Sequence, residues 1–193
     1  MKRILNFLIL LALVFCIASC APKKAVVKAT ASYEEVLKEH TKDSKAYKDM
    51  ETKLIAYATY KDNVFMNALI DKKAEKLLYN SARVDLLKIQ AQRNNEVRIS
   101  FFVAAYTPDN RFADFSREKG LWKFYVKEGD SEPLEAFSVK KVSRGDRPEY
   151  EVLYPYISTW MQLYEIRFNK SSTSQPLTLI ITGQLGKMEL TYN

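Results

Sequence analysis

The feature that most constrains the fold is a change in the spacing of apolar residues at Glu96. In most of the chain before it, apolar side chains recur every three or four positions, which is the spacing of a helix with one buried face. After it they recur at every second position, which is the spacing of a half-buried β-strand. The chain therefore predicts helices in its first half and antiparallel strands in its second.

Three helices are predicted before Glu96. The first opens on a capping box, in which Ser32 and Glu35 satisfy each other's backbone amides. Asn80 separates the other two, which would form a hairpin. The apolar run at 54–60 predicts a strand ahead of that hairpin. The predicted helix bounds are about 32–50, 62–79 and 81–94.

The β-structure begins at about Val97 and comprises most of about eight predicted strands. Residues 97–106 become apolar on both faces, which predicts a central strand. Gly183 and Gly186 frame a short hairpin between the last two strands. The other predicted strands are 122–127, 134–142, 150–156, 162–168, 177–182 and 187–192.

Two of these strands have assignable faces. In 134–142, Phe137 and Val139 are expected to point inward. In 162–168, Glu165 and Arg167 alternate with apolar residues and are expected to point outward.

Two packed antiparallel sheets bury this pattern most simply. The predicted fold class is α+β, an antiparallel β-sandwich with an N-terminal helix and an inserted helical hairpin. An immunoglobulin-like topology is one option, although its Cys…Trp…Cys spacing is absent, and a closed barrel is the alternative. We expect a single globular domain over 32–193, which is long enough to bury a core without disulfides.

An apolar segment opens the chain. Lys2 and Arg3 precede an apolar run of about ten residues that ends in small residues, as in a secretory signal peptide. The run is shorter than the roughly 20 residues that a membrane-spanning helix needs. An uncleaved N-terminal anchor helix is the alternative interpretation.

The end of that segment, Ile17-Ala18-Ser19-Cys20, resembles the lipobox of bacterial lipoproteins. The resemblance implies that 1–19 are a lipoprotein signal peptide and that Cys20 carries diacylglycerol and an acyl chain such as palmitate. Residues 20–31 would then be the lipidated cysteine and a tether. Ala21 stands where inner-membrane lipoproteins usually have Asp, which implies the outer membrane rather than the inner.

Two short segments extend the resemblance. Ala58-Thr59-Tyr60 and the run FFVAAYTPD, from Phe101 to Asp109, resemble uncharacterised outer-membrane lipoproteins of similar size. This resemblance would cover most of the mature chain and brings no catalytic residue with it.

Composition limits the partners. Cys16 and Cys20 are the only cysteines, so the mature protein is expected to have no disulfide. The chain has 30 basic and 23 acidic residues; without Lys2 and Arg3, 28 against 23 leave a net charge of +5. The net positive charge is small, acidic and basic residues are interspersed, and an export signal is predicted. These features argue against a nucleic-acid partner.

No metal site, cofactor site or catalytic residue is predicted. His40, the only histidine, lies on the apolar side of the first predicted helix, and we expect it to pack there half-buried. Glycine-rich phosphate loops and a nucleophile-elbow motif are absent. Paired carboxylates remain an option for hydrolysis. Asp130, Glu132 and Glu135 lie near one predicted turn, and Asp109 and Asp114 lie on the long loop after the central strand.

The candidate binding surface combines aromatic and basic residues. Aromatic side chains are enriched at interfaces, and a basic cluster would suit an anionic envelope component such as lipid A phosphate. A sandwich core would use the same aromatic residues, and a solvated loop the same bases. Arg144-Gly145-Asp146 resembles an integrin-binding tripeptide but also suits a turn. The surface consists of Tyr154, Tyr156, Trp160, Lys140, Lys141, Arg144 and Arg147.

The sequence thus predicts a lipid-anchored cell-envelope protein, a non-enzymatic binding or interaction module that faces the periplasm. Its partners would be the membrane, through the lipid on Cys20, and an envelope protein or anionic envelope component. An envelope hydrolase that uses paired carboxylates and a carrier of a small apolar ligand are the alternatives.

Overall fold

The computed structural model describes residues 31–116, 120–170 and 176–193, which include all of the elements below. The predicted signal peptide and Cys20 lie outside the described residues. From Ala31 onward the chain forms one compact unit. The helices are α1 (Tyr33–His40), α2 (Asn63–Leu77), α3 (Ser81–Val97), a 3-10 turn (Asn110–Phe112) and α4 (Arg147–Leu153). The strands are β1 (Thr41–Lys48), β2 (Glu51–Tyr60), β3 (Arg98–Tyr106), β4 (Trp122–Glu128), β5 (Leu134–Glu135), β6 (Ser138–Lys141), β7 (Gln162–Asn169), β8 (Leu177–Gly183) and β9 (Gly186–Tyr192).

The strands form two antiparallel sheets, in the orders β1-β2-β3-β7-β6 and β5-β4-β8-β9. Their facing sides share one core, which includes Phe101, Trp122, Ile166 and Leu179. The described strands thus make a sandwich rather than a closed barrel. The predicted α+β class, with an N-terminal helix and a helical hairpin inserted between β2 and β3, is confirmed.

Strand β3 lies at the centre of the five-stranded sheet, as its apolar pattern predicts. Its alternate side chains enter two different cores. Phe101 and Val103 face the second sheet, whereas Phe102 and Ala104 face the helices. All four are fully buried. An apolar run with no polar side is the expected sequence of a strand covered on both faces.

The first predicted helix is too long. The capping box at Ser32 forms, but α1 ends at His40, and 41–48 are strand β1 instead of helix. β1 pairs with β2 along its whole length. Asp49 and Met50, both with positive φ, make the turn between them. The apolar residues past His40 keep a helical spacing, but the segment does not form a helix. Backbone hydrogen bonds to β2 outweigh its local preference for helix.

Two strand predictions in the second half are also wrong. The predicted strand 134–142 is split between the sheets, with β5 in one and β6 in the other, and Phe137 is half-exposed at the crossing. Val139 packs against the core as predicted. The predicted strand 150–156 does not form, because residues 147–153 are helix α4 and 154–156 belong to no strand. Pro148 lies in the first turn of α4, where its fixed φ favours a helix.

The C-terminal hairpin has the predicted form. Gly183 and Gly186 are register partners, joined by a two-residue turn. A Cβ atom on Gly183 would lie 1.9 Å from the carbonyl oxygen of Leu121, so only glycine fits. Among the described residues, no helix is long and apolar enough to cross a membrane.

Candidate anion-binding site on the outer sheet face

The outer face of the five-stranded sheet, which is turned away from the sandwich core, has two different halves. One half is apolar and covered by helices. Phe65 and Leu69 of α2 pack there with Val36 and Leu37 of α1 and with Phe102 of β3. The other half carries charged and polar side chains at the edge of this cover.

These polar residues are neighbours because the strand register aligns them. Ser100 of β3 is paired with Arg167 of β7, and Arg98 comes two residues earlier on the same face of β3. Glu165 precedes Arg167 by two residues on β7. Lys61 follows β2, and its amide donates to the Ser100 carbonyl at 2.9 Å.

Together these side chains line a shallow pocket between the sheet and the helical hairpin, which we call the outer-face pocket. Its volume is about 180 Å³. Helix α2 contributes Met66, and the C-terminal part of α3 contributes two amide side chains. The lining residues are Lys61, Met66, Asn94, Asn95, Arg98, Ser100, Glu165 and Arg167.

A half-buried ion pair forms one wall of the pocket. The Lys61 Nζ atom lies 3.0 and 2.8 Å from the two carboxylate oxygens of Glu165. The Tyr150 hydroxyl donates to the same carboxylate at 3.3 Å. Burial raises the pKa of the Tyr150 phenol, and the nearby Glu165 charge raises that pKa further, so Tyr150 stays a neutral donor.

The remaining cations leave the pocket positive. Lys61, Arg98 and Arg167 stand against the one acid of the lining, Glu165, so 3 minus 1 leaves a charge of +2. The Arg98 guanidinium lies 5.8 Å from the centre of the Phe137 ring. Two guanidinium groups, two amides and a hydroxyl can donate hydrogen bonds to a phosphate or carboxylate.

The structure disagrees with part of the sequence-predicted surface. Tyr154 is 1% exposed, and its ring stacks on Phe102 at 4.1 Å between centroids, so it belongs to the core. Tyr156 is partly buried; it stacks on Tyr57 and bonds to the Thr59 hydroxyl at 2.6 Å. Trp160 is 75% exposed, as a surface residue would be. The aromatic residues therefore do not form one exposed patch.

The basic members of that surface also separate. Lys140, Lys141 and Arg144 are exposed. Arg147 donates to the carbonyl oxygens of Met161 and Ser158, both at 2.8 Å, and so holds the segment after α4 in place. Lys140 is the register partner of Glu165, which brings Lys140 alone of these exposed bases close to the outer-face pocket.

The Arg144-Gly145-Asp146 tripeptide lies in a turn. The Asp146 amide donates to the Ser143 hydroxyl oxygen at 3.1 Å, and that hydroxyl donates to the Asp146 carboxylate at 2.8 Å. These bonds explain the sequence of the turn without a ligand.

His40 packs between elements. Its Nδ1 lies 2.8 Å from the Val36 carbonyl oxygen and its Nε2 lies 3.1 Å from the Asp62 carboxylate. The Asp62 bond raises the pKa of His40, although partial burial opposes the rise. Burial acts to raise the pKa of Asp62, but bonds from His40 and the Phe65 amide outweigh burial and lower it. In the described part of the chain, no group of three potential ligands among His, Cys, Asp and Glu could hold a metal.

Sequence reasoning missed most of the outer-face pocket. Its residues come from three separate stretches of the chain, 61–66, 94–100 and 165–167, so no spacing in the chain reveals them. The one available signal is Glu165 and Arg167, two charges at outward positions of a strand whose other face is apolar. A solvated strand face produces the same pattern.

Comparisons with known proteins assign this chain to no family. No family model and no curated protein matches it. It is similar to the crystal structure of a protein of unknown function from Burkholderia pseudomallei, with 9% identity over 83% of this chain and 81% of the other and a TM-score of 0.46. Because that score is too low to transfer fold or function, the assignment to the class of α+β sandwich proteins rests on the chain's own sheets.

Proposed function

We propose that the protein is a lipid-anchored, non-enzymatic binding module of the bacterial cell envelope that faces the periplasm and holds an anionic group in the outer-face pocket. The observation that carries the proposal is the charge of the pocket, three cations and one acid on a wall of sheet and helix. Sites built on regular elements position their side chains firmly.

The size of the pocket supports a small ligand group. Its volume of about 180 Å³ is below the roughly 300–1,000 Å³ of sites that enclose drug-sized molecules. Arginine binds phosphate and carboxylate through paired N–H donors, and two arginines are present. A phosphate of a larger envelope molecule, such as lipid A, would suit this geometry, with exposed Lys140 beside it.

The cellular address rests on the first twenty residues. The lipobox resemblance ending at Cys20 supports lipidation and attachment to the outer membrane, and the exported domain would meet phosphorylated envelope components there. The two parts of the proposal, the localisation and the ligand, are tested separately.

Calorimetric titration of residues 31–193 with glucose 1-phosphate, and with glucose as the reference, tests the ligand. We expect binding of the phosphomonoester only. Arg98→Gln with Arg167→Gln should weaken it by about tenfold or more, because each charge-assisted bond contributes about 1.5–3 kcal/mol.

The control is Arg144→Gln, which removes an exposed arginine outside the pocket. Loss of binding in this control alone would move the site to the loop before α4. Release of inorganic phosphate during the titration would contradict a non-enzymatic role.

Metabolic labelling with an alkyne analogue of palmitate tests the address. The wild-type chain should take up the label and sediment with outer membranes. Cys20→Ser should stay an unprocessed, unlabelled precursor, and normal labelling of this variant would refute the anchor.

A further inference from the structure

A second pocket lies at the end of the sandwich away from the outer-face pocket. Lys53, near the start of β2, lines this second pocket, whereas Lys61, just after the end of β2, lines the outer-face pocket. We call the second pocket the sandwich-end pocket. It is formed by the start of β2, the loop after β3 and the turn between β8 and β9. Its volume is about 540 Å³, within the roughly 300–1,000 Å³ of sites that enclose small molecules.

The charged groups around the sandwich-end pocket are paired with each other. Glu51 and Lys53 are two residues apart on β2 and share a face, and the Lys53 ammonium donates to the Glu51 carboxylate. The Asp109 carboxylate accepts from the Nε and Nη2 atoms of Arg111 at 3.0 and 2.6 Å. These two ion pairs contain two acids and two bases, so 2 minus 2 leaves no net charge. The pocket therefore does not select a ligand by charge, in contrast to the outer-face pocket.

The pair of Glu51 and Lys53 can still bond to a ligand. The hydrogen bond from Lys53 lowers the pKa of the Glu51 carboxyl, which therefore stays an ionised acceptor. A carboxylate can accept about four hydrogen bonds, and the bond from Lys53 uses one of them. A hydroxyl group donates and accepts at once, so it can bond to both partners without separating them. An ionic ligand would instead compete with the existing ion pair.

Thr107 adds a buried hydroxyl to the pocket. Its side chain lines the pocket and is 5% exposed. In the part of the chain that the structure describes, this hydroxyl has no hydrogen-bond partner, yet its oxygen is not sealed from solvent. Because burying a polar group without a partner costs stability, a ligand atom at this position would supply the missing bond.

Pro108, Phe112 and Leu185 form the apolar part of the pocket. Phe112 is half-buried in the 3-10 turn after β3, and its amide donates to the Asp109 carbonyl oxygen at 3.0 Å. That bond and the pair of Asp109 with Arg111 hold the loop that carries the ring. Leu185 packs against the core of the sandwich. The face of an aromatic ring carries partial negative charge and attracts C–H groups of partial positive charge.

We propose that the sandwich-end pocket binds a neutral saccharide of at least two rings. A saccharide has hydroxyl groups at the edge of each ring and C–H groups on its faces, which match the paired charges, the Thr107 hydroxyl and the apolar wall. A wholly apolar ligand would bury Glu51 and Lys53 without new hydrogen bonds. One hexose ring would leave much of the pocket to solvent, so glucose alone should bind too weakly to be detected. The proposal does not rest on the proposed function.

Titration with cellobiose, followed by nuclear magnetic resonance, tests the proposal. The sample is isotope-labelled residues 31–193, the compact unit that contains both cores. We expect saturable amide shifts confined to 51–53, 107–112 and 184–186 at millimolar sugar. Phe112→Ala should raise the dissociation constant about threefold or more.

Thr107→Val separates binding from folding. This variant should raise the dissociation constant about three- to tenfold, because it removes one hydrogen bond to the sugar. Its melting temperature should be unchanged or higher, because a methyl group replaces a buried hydroxyl that has no partner within the protein. A structural role for the hydroxyl would instead lower the melting temperature.

Thr178→Val is the matched control. Thr178 lies near the start of β8, away from the turn between β8 and β9, and its hydroxyl is bonded to that of Thr191. This variant should bind cellobiose like the wild type. Arg98→Gln with Arg167→Gln should also leave cellobiose binding unchanged, which separates this proposal from the proposed function.

Three outcomes would overturn the proposal. The first is the absence of shifts in the three segments with both cellobiose and N,N′-diacetylchitobiose. The second is an equal loss of binding in the Thr178→Val control. The third is tighter binding of free leucine than of either sugar, which would assign the pocket to a zwitterionic ligand.

Discussion

The two faces of the five-stranded sheet are buried by different means. The inner face meets the second sheet, and nearly all of its buried apolar partners are strand residues. The outer face has no second sheet; α1, α2 and α4 cover one half, and charged residues occupy the other. Phe101 and Phe102, adjacent in the chain and both fully buried, belong to these two different environments.

The difference shows where a binding site can form in this fold. A face closed by another sheet leaves little room for charged groups that need solvent or a partner. A face closed by helices has an edge where the cover ends, and the ion pair of Lys61 and Glu165 lies at that edge. The outer-face pocket thus forms because the helices cover only part of the outer sheet face.

The largest expected effects test whether both faces are packed equally. Phe101→Ala and Phe102→Ala should each lower the free energy of unfolding by about 3–5 kcal/mol, because each opens a cavity in a different core. Guanidinium denaturation measures both. Met50→Ala, a substitution in an exposed turn, should change the free energy of unfolding by less than about 0.5 kcal/mol. A small effect at Phe102 alone would mean that the helices cover the sheet loosely.

The next effect concerns the edge of the cover. Glu165→Gln should lower the free energy of unfolding by about 1–3 kcal/mol, since it leaves the half-buried Lys61 ammonium without its counter-charge. The double variant Lys61→Met with Glu165→Leu should lose less free energy of unfolding than the sum of the losses in Lys61→Met and Glu165→Leu measured singly. Strict additivity in this double-mutant cycle would show that the pair contributes no net coupling.

A smaller effect depends on pH. The pKa of His40 is raised above 6.5, so its pairing with Asp62 stabilises the fold below that pH and the contribution is lost as pH rises through the folded-state pKa. The pKa of Asp62 is lowered below 3.8, so its contribution is lost only as pH falls through the folded-state value.

The stability difference between the wild type and His40→Gln should therefore be largest between the folded-state pKa values of Asp62 and His40. This difference should become smaller towards pH 8. Thermal unfolding of both chains across pH 4–8 measures it. A gap that widens with rising pH would contradict the assigned pairing.

The smallest expected effect separates binding from folding. Arg98→Gln with Arg167→Gln should change the free energy of unfolding by less than about 0.5 kcal/mol, because both lining residues are exposed to solvent. A loss of several kcal/mol in urea denaturation would instead assign these arginines to the structure, and any loss of ligand binding would then follow from unfolding.

Some positions could be predicted because their signals are local. The capping box at Ser32 and the glycine pair at 183 and 186 depend on neighbours within a few residues. Helix α4 could not be separated from a strand in the same way. Tyr150 and Tyr154 share a side at helical spacing and at strand spacing alike, so apolar periodicity did not distinguish the two.

The sequence by itself determined the α+β class, the burial of both faces of β3 and the helical hairpin. Apolar periodicity and helix capping depend only on residues that are close together in the sequence. Only the tertiary structure decided that 41–48 form an edge strand and that Tyr154 is buried. It alone gathered Lys61, Arg98, Glu165 and Arg167 into one pocket. The physical reason is that register and helix cover are set by contacts between distant segments, and these long-range contacts leave no period in the chain.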